Sequence, residues 1–248
     1  MEFDVIVIGG GPSGLSTALH LAKDFPHLVS RTLILEKAHY PRPKLCAGGL
    51  VVDAEVILQR LGLDVREVPH ADADCIRFDF EAKGLNIRFP KRHALRIIRR
   101  DEFDNWLAQK TKSSGVEIRE GVTVKNIQAS SDDVIVQTDQ GDFRTRVVVG
   151  ADGSNGVTRR CILPNAAVYT ARVLEIITPP YHVAVSRFAL SGGTLTGEAV
   201  SKGTADEATV RDNTAYLDFF SVPSNIAGYV WDFPTQVNGE AKRCWGIY

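Results

Sequence analysis

VIVIGGGPSG, residues 5–14, decides the fold of this chain, because it joins an apolar run to a glycine-rich turn. The apolar residues that follow recur at helical spacing: Leu15, Ala18, Leu19 and Ala22. By itself, the pattern G-x-G-x-x-G is weak evidence for a dinucleotide site. It becomes much stronger evidence where a strand precedes it and a helix follows it, as here. The segment therefore predicts the phosphate-binding turn of a dinucleotide site, the alternative being a glycine-rich loop without a ligand.

Each glycine of the turn has a physical role in such a site. Gly9 allows the tight turn, Gly11 lets the backbone approach a pyrophosphate, and Gly14 lets the helix pack closely on the strand. Pro12 and Ser13 lie in the first helical turn, where free N–H groups and the helix dipole favour a negative charge. We expect these five residues to bind the pyrophosphate.

The second apolar run, residues 32–35, ends in Glu36, which lies 22 residues after Gly14. A carboxylate at this place can accept hydrogen bonds from the hydroxyl groups of a ribose. It also repels a 2′-phosphate, which argues against NADPH as the ligand of this site. We expect Glu36 and its neighbour Lys37 to contact the adenosine half of the dinucleotide.

Composition is that of an ordinary soluble globular protein, since hydrophobic residues make up 44% of the 248 residues and charged residues 24%. The formal net charge of −1 gives no overall attraction to nucleic acid, and it leaves peripheral membrane contact open. The four cysteines form no C-x-x-C pair and the six histidines show no ligand spacing, so no metal site is expected. With neither a signal peptide nor a transmembrane run found, we expect a cytoplasmic protein.

Hydrophobic periodicity predicts two further helices, one over residues 53–61 with Asp53 as its cap and one capped by Asp101. The apolar face of the second helix consists of Phe103, Trp106 and Leu107. Runs typical of strands occur at 75–80, 85–89, 95–99, 116–119, 122–128, 133–138 and 143–149, and then near 168–177, 182–190, 215–221, 227–233 and 242–248. Apolar and polar residues alternate within residues 143–149, which is typical of a strand that is half buried.

The order of these elements predicts two domains. The simplest architecture is an α/β dinucleotide-binding domain over residues 1–71 and 95–165. A β-rich substrate domain over residues 72–94 and 166–248 interrupts and follows it.

Two further stretches narrow the ligand from a dinucleotide to FAD. Residues 100–104, RDEFD, put a cation at the start of a helix, and residues 151–155, ADGSN, are followed by Arg159. Together with the glycine turn, these stretches resemble the large family of FAD-dependent monooxygenases and reductases that includes para-hydroxybenzoate hydroxylase.

This resemblance implies a Rossmann-type FAD-binding domain of the glutathione reductase-like form. It implies that Arg100 contributes to the binding of FAD and that Asp152 and Gly153 lie near the pyrophosphate. The family often has Ser where this chain has Gly156, which leaves the local hydrogen bonding open.

Two other stretches of the sequence resemble one particular branch of that family. Residues 41–49, PRPKLCAGG, resemble the P-R-x-K-x-C-G-G stretch of geranylgeranyl reductases, with Ala47 in place of the usual glycine. Residues 228–234, GYVWDFP, resemble their G-Y-x-W-x-F-P stretch. The resemblance implies a flavoprotein that reduces isolated double bonds in prenyl chains. Its substrate would be a prenylated small molecule or lipid, and its electron donor NAD(P)H or ferredoxin.

The residues of the first stretch allow a role at the flavin. Gly48 and Gly49 can bring backbone N–H groups close to a flat ring, and Cys46 beside them can place a thiol near the reacting carbons. The alternative is that Cys46 is a small buried core residue. Arg42 and Lys44 are interpreted as solvated loop charges.

The aromatic residues of the second stretch alternate, so Tyr229, Trp231 and Phe233 share one face of a strand. That face can guide a prenyl tail, which makes the three rings candidate substrate contacts. They can equally be part of an ordinary core, which their ring content alone favours.

One family element is not found: a Gly-Asp stretch that contacts the flavin ribityl chain and opens a helix aimed at the ring. The chain stops at Tyr248 in an apparent strand, so we expect either a fragment or a short form in which this C-terminal part of the fold is absent. Two rival functions stay open, namely an aromatic hydroxylase or halogenase, and a non-catalytic dinucleotide-binding domain.

Overall fold

The computed structural model describes residues 3–80, 83–167, 172–180, 216–221 and 228–247. The chain divides into two compact units. The first consists of Met1–Lys44, Ile57–Asp64 and Arg100–Thr170, and the second of Leu45–Val56, Val65–Arg99 and Ala171–Tyr248.

The described elements are four α-helices, two short 3₁₀-helices (Pro26–Arg31 and Val65–Glu67) and sixteen strands. The helices are α1 (Pro12–Asp24), α2 (Val52–Arg60), α3 (Arg100–Ser113) and α4 (Val157–Ile162). The strands are β1 (Val5–Ile8), β2 (Thr32–Glu36), β3 (Gly49–Val51), β4 (His70–Ala73), β5 (Cys75–Phe80), β6 (Lys83–Arg88), β7 (Leu95–Ile98), β8 (Glu117–Glu120), β9 (Val124–Ala129), β10 (Val134–Thr138), β11 (Gly141–Thr145), β12 (Val147–Gly150), β13 (Leu174–Thr178), β14 (Tyr216–Ser221), β15 (Tyr229–Val237) and β16 (Glu240–Ile247).

The first unit is built on a parallel sheet with the strand order β12-β1-β2-β8. Strands β1 and β2 are buried along their whole length, because parallel strands are covered on both faces. The buried stripe of α1, which includes Leu15, Ala18 and Leu19, packs on β1, β2 and α3. On the other face, the sheet β11-β10-β9 contributes Val136 to a core with Ile6. This arrangement confirms the predicted Rossmann-type α/β architecture.

The predicted single strand over residues 143–149 is wrong, because the chain changes sheets there. Strand β11 pairs antiparallel with β10, whereas β12 pairs parallel with β1. The two are separated by Arg146, and the alternation of inward residues does not continue across it. Val148 therefore packs on the core while Val147 is 50% exposed.

The predicted helix caps need correction by about one residue. Helix α2 begins at Val52 and α3 at Arg100, so Asp53 and Asp101 lie in the first helical turns rather than at the caps. Their charges still favour the positive end of each helix dipole. Helix α3 is the longest described helix at 14 residues, and none in the described ranges has the length and apolarity needed to cross a bilayer.

The second unit contains a six-stranded sheet of order β13-β16-β15-β14-β5-β6 and a three-stranded sheet of order β3-β7-β4. Only β14 and β5 pair in parallel within the larger sheet as described. The short strands β3 and β4 have no counterpart among the predicted strands. Because both pair with β7, residues 45–56, 65–71 and 95–99 lie in this unit rather than with the predicted cofactor-binding domain. The strand predicted over 182–190 lies outside the described residues.

The larger sheet of the second unit has an aromatic core on one face. Trp231 and Phe233 are 4% and 5% exposed and form a cluster with Leu217, Cys244 and Ile97. Register places Gly246 directly opposite Trp231 on β16. A Cβ added at Gly246 would overlap the indole ring, so the absence of a side chain there makes room for Trp231.

Substitution Gly246→Ala should destabilise the second unit, because the buried indole of Trp231 would have to move. Overpacking of this kind costs about 1–3 kcal/mol, and each kcal/mol lowers the melting temperature by roughly 2–4 °C in a chain of this size. Thermal unfolding followed by circular dichroism measures the effect.

Gly49→Ala is the matched control, since a Cβ at this strand glycine meets its neighbours at an ordinary 3.7 Å. Equal melting temperatures for both variants would contradict the packing assigned to Trp231.

Candidate dinucleotide site

The glycine turn lies at the carboxyl ends of the parallel strands. Gly9 has φ +102°, and a Cβ there would overlap the carbonyl oxygen of Ala151. A Cβ at Gly14 would overlap the carbonyl oxygen of Gly9. The Gly9 N–H donates to the oxygen of Leu35 at 2.9 Å, and the Ala151 N–H donates to Ile8 at 2.8 Å. The turn is thus fixed between the ends of β1, β2 and β12.

The N-terminus of α1 opens directly from this turn. Gly11 is its N-cap and no side chain caps it, while Pro12 occupies the first helical position. The Leu15 N–H donates to the Gly11 oxygen at 3.0 Å, so the N–H groups of Ser13 and Gly14 precede the first helical hydrogen bond. A Cβ built on Gly11 meets Arg42 Nη2 at 3.4 Å and no other described atom within 4 Å. This open backbone fits a phosphate group.

Glu36 is 5% exposed and its carboxylate faces the turn. Oε2 accepts a hydrogen bond from the Gly10 N–H at 2.7 Å, and Oε1 accepts one from the Ala38 N–H at 2.9 Å. A carboxylate offers about four acceptor sites, so it can still accept ribose hydroxyls. Lys37 is exposed beside it. The Tyr40 hydroxyl donates to the Gly10 oxygen, and burial raises the pKa of this phenol, which keeps it a donor.

A buried charge network, consisting of Glu36, Arg42, Arg100 and Asp104, lies behind the turn. Arg100 donates to both carboxylate oxygens of Asp104, at 2.8 and 3.0 Å. Arg42 Nη2 lies 3.1 Å from Asp104 Oδ2, and its Nε lies 3.9 Å from Glu36 Oε2. The side chain of Asp104 is fully buried and that of Arg42 is 14% exposed. The interpretation of Arg42 as a solvated loop charge is therefore wrong, whereas Lys44 is exposed.

The Asp-Gly stretch lies against the same turn. Asp152 Oδ2 accepts a hydrogen bond from the Thr158 N–H at 3.1 Å, and Oδ1 accepts one from the Thr158 hydroxyl. The carboxylate fills the space over Gly156, where a Cβ would overlap it. Gly156 is therefore required by the position of Asp152, which orients the first turn of α4. Gly153 has φ +85° and is exposed.

In the second unit, Cys46 is exposed, so the alternative of a buried core cysteine is wrong. Its backbone N–H donates to Glu175 Oε2 at 3.0 Å. Gly48 has φ +78°, and a Cβ there would overlap the oxygen of Ile98. A Cβ on Gly49 would lie 3.7 Å from the ring of Phe233. The loop that carries Cys46 is thus fixed beside the aromatic face.

The three aromatic residues share one face of β15, as their alternation predicts. Trp231 and Phe233 are core residues by burial, whereas Tyr229 is 40% exposed. The ring of Phe219 lies 5.5 Å from that of Tyr229 and 5.1 Å from that of Phe233. Phe78 stacks on Phe219 at 5.2 Å and is 45% exposed, so the face continues from core to surface.

Burial shapes the titration of two groups on this face. It raises the pKa of the Glu175 carboxyl, an effect that the Cys46 N–H and the charge of Arg99 only partly offset. Burial also raises the pKa of the Cys244 thiol to about 11. Register places Glu175 and Cys244 on the same side of the sheet as Trp231.

Four residues of these sites were missed by sequence reasoning: Tyr40, Arg42, Asp104 and Glu175. Asp104 lies four residues after Arg100 on α3, a spacing that favours an ion pair and could have identified it. The other three reach their partners through contacts between distant segments, for which the sequence carries no spacing signal.

Comparison with known proteins adds a family and several relatives. The family described as FAD binding domain matches residues 2–203. An uncharacterized protein of Methanosarcina barkeri is 25% identical over all of this chain and 54% of its own length. Rifampicin monooxygenase of Streptomyces venezuelae is 32% identical over 64% of this chain and 34% of its own. Geranylgeranyl diphosphate reductase of Rhodobacter capsulatus is 27% identical over 74% of this chain and 46% of its own length. The chain spans about half the length of such relatives, or less.

Solved structures support the fold. A geranylgeranyl bacteriochlorophyll reductase-like protein of Thermoplasma acidophilum superposes with a TM-score of 0.68 at 21% identity, over 98% of this chain and 56% of its own. The halogenase PltM, in complex with phloroglucinol and FAD, superposes with a TM-score of 0.68 at 15% identity. The match covers 100% of this chain and 52% of the PltM chain. At these identities the likeness is one of fold alone.

Substitution Glu36→Ala should weaken FAD binding roughly tenfold or more, because it removes the charged group expected to accept hydrogen bonds from the ribose hydroxyls. It also removes the acceptor of the Gly10 N–H. Titration of the apoprotein with FAD, followed by flavin fluorescence, measures the dissociation constant.

Glu117→Ala is the control, since this carboxylate lies exposed on β8 of the same sheet and pairs with Arg119. An unchanged affinity in Glu36→Ala would refute the role of Glu36.

Proposed function

Because this chain belongs to the FAD binding domain family, we propose that it holds FAD and reduces isolated double bonds in prenyl chains of the geranylgeranyl type. The bound flavin supplies hydride transfer, and the protein supplies binding, orientation and a proton. The glycine turn, Glu36 and Arg100 hold the adenosine and pyrophosphate half. NAD(P)H and reduced ferredoxin are the two electron donors to be compared.

One observation carries the choice of prenyl reduction. The loop that contains Cys46, Gly48 and Gly49 lies against the face that contains Trp231 and Phe233, with Ala47 packed on the same cluster. These are the two distant stretches that resemble geranylgeranyl reductases. Their adjacency supports a shared role at one substrate.

The exposed part of the aromatic face supports an apolar substrate. Tyr229 and Phe78 are 40% and 45% exposed, and Leu85 and Ile87 on the neighbouring strand are 58% and 39% exposed. Register places all four on the face of Trp231. Burying such surface against a prenyl tail is favourable by roughly 25 cal/mol for each Å². A substrate of this kind makes peripheral membrane contact an expectation for the protein.

Glu175 supplies the proton in this proposal. Reduction of an alkene needs a hydride on one carbon and a proton on the other. Glu175 is held at the Cys46 loop by the 3.0 Å hydrogen bond, and burial raises the pKa of its carboxyl, which favours the protonated form. The carboxylate left after transfer regains its proton from water.

Oxygen chemistry is the second candidate function. The observation in its favour is the relative named rifampicin monooxygenase, which is 32% identical over its matched region. An enzyme of this class would consume oxygen and transfer one atom of it to an aromatic substrate. A non-catalytic dinucleotide-binding domain is the third candidate.

A single set of assays separates the three. Protein reconstituted with FAD is reduced under argon with NAD(P)H or reduced ferredoxin and mixed with geranylgeranyl diphosphate. Mass spectrometry then measures the mass of the product. Prenyl reduction adds the mass of two hydrogens for each double bond. Unchanged substrate would overturn the proposal, with substrate-dependent oxygen uptake in air favouring the hydroxylase. Protein that shows no flavin absorbance after reconstitution would favour the non-catalytic domain.

Substitution Cys46→Ser should retain FAD but lower turnover or change the number of double bonds reduced, because it alters the exposed thiol beside Gly48 and Gly49. Product analysis by mass spectrometry reads both effects. The control is Cys161→Ser, another exposed cysteine, located on α4. Full activity with an unchanged product pattern in Cys46→Ser would remove Cys46 from the site.

Substitution Glu175→Gln should lower the rate of prenyl reduction about a hundredfold, a typical effect of losing a general acid. In the native protein the rate should fall as pH rises through the raised pKa of Glu175, because the acid must hold its proton. The variant should lose this limb of the pH profile. Glu240→Gln, an exposed carboxylate on β16, is the control. A native pH profile in Glu175→Gln would contradict the assignment.

A further inference from the structure

We propose that Arg42 is a phosphate ligand of the bound dinucleotide and that Asp104 is the positioning residue that holds it in place. This inference rests on the proposed binding of FAD at the glycine turn. It concerns an arginine of the stretch 41–49, which the sequence alone suggested to be a solvated loop charge, and an acid whose side chain the fold buries completely.

The position of Arg42 is the first support. Its Nη2 lies 3.4 Å from the Gly10 oxygen and 3.4 Å from a Cβ built on Gly11, so the guanidinium lies beside the N-cap of α1. An anion that accepts hydrogen bonds from the Ser13 and Gly14 N–H groups therefore comes within reach of this side chain. The arginine and the helix N-terminus act on the same ligand.

The unused donors of Arg42 are the second support. A guanidinium carries five N–H donors in a planar fork. Through Nη2, Arg42 donates to the Gly10 oxygen and pairs with Asp104, and a further side-chain hydrogen bond joins it to Tyr40. Its Nε is buried and has no hydrogen-bond partner among the described residues. A buried donor without a partner is costly, and a phosphate oxygen is an acceptor that would satisfy it.

Asp104 explains why Arg42 is held in this place. Its carboxylate is fully buried and binds Arg100 through two hydrogen bonds, one to each oxygen. Oδ2 also lies 3.1 Å from Arg42 Nη2. One rigid acid on α3 thus orients both arginines. Because Arg100 already provides a paired counter-ion, Arg42 can share its charge with a ligand.

The test compares ADP with adenosine as probes of the adenosine half. Substitution Arg42→Gln should weaken ADP binding about ten- to hundredfold, the usual effect of losing a charge-assisted hydrogen bond. Binding of adenosine, which has no phosphate, should change less than about threefold. Isothermal titration calorimetry measures both, and the ADP affinity of the native protein should depend more steeply on salt than that of the variant.

The control is Arg31→Gln, in which an arginine of the same unit loses a two-point pair with Asp4 at 2.5 and 2.7 Å. Asp4 precedes β1, at the end of the strand opposite to the turn. This variant should leave both affinities at the native value. Equal losses of affinity for ADP and adenosine in Arg42→Gln would show that Arg42 only stabilises the structure of the site. Unchanged affinity for both would show that Arg42 has no role in binding. Both results would overturn the inference.

Asp104 is tested through Arg42. Asp104→Asn should reduce the preference for ADP over adenosine, and adding Arg42→Gln to it should cost much less than it does in the native background. Fully additive losses would overturn the positioning role, and the Arg42→Gln arm stands if Asp104→Asn does not fold. If the native protein binds neither FAD nor ADP, the proposed function is contradicted as well. If the native protein binds both and Arg42→Gln keeps the native ratio of ADP to adenosine affinity, only this inference is overturned.

Discussion

The hydrogen bond from the Gly10 N–H to Glu36 Oε2, buried and 2.7 Å long, joins the glycine turn to the end of the second strand. It can form because β1 and β2 pair in parallel with Ile8 level with Leu35, which brings their carboxyl ends together. A Cβ at Gly10 would overlap the hydroxyl of Tyr40, so this position has no room for a side chain. This contact fixes the glycine turn relative to Glu36, and the proposed dinucleotide site depends on it.

Charge balance extends this contact into a network. A buried carboxylate needs a partner, because its transfer from water is costly. Glu36 and Asp104 are balanced by Arg42 and Arg100, which come from a loop and from α3. Removing one member would leave a buried charge uncompensated. The same arrangement that stabilises the fold places positive charge beside the N-terminus of α1, where an anion is favoured.

The sequence predicts the elements around the glycine turn, whereas most contacts between distant segments carry no signal in it. The turn from β1 to α1 follows from adjacent glycines and apolar residues, and Glu36 follows from its place at the end of β2. Strand β4, with the sequence HADA, carries none of the β-branched or aromatic residues that favour strands, so only its pairing with β7 reveals it. Arg42 and Asp104 meet across distant segments, and nothing in their spacing predicts the contact.

The turn, Glu36 and Arg42 together form the proposed site for the adenosine and pyrophosphate half of FAD. A crystal structure of the protein with FAD is the decisive test of this site. Such a structure should show ribose hydroxyls at the Glu36 carboxylate, and phosphate oxygens at the Ser13 and Gly14 N–H groups with a hydrogen bond from Arg42. FAD bound away from the turn, or phosphates that accept no hydrogen bond from Arg42, would refute this arrangement.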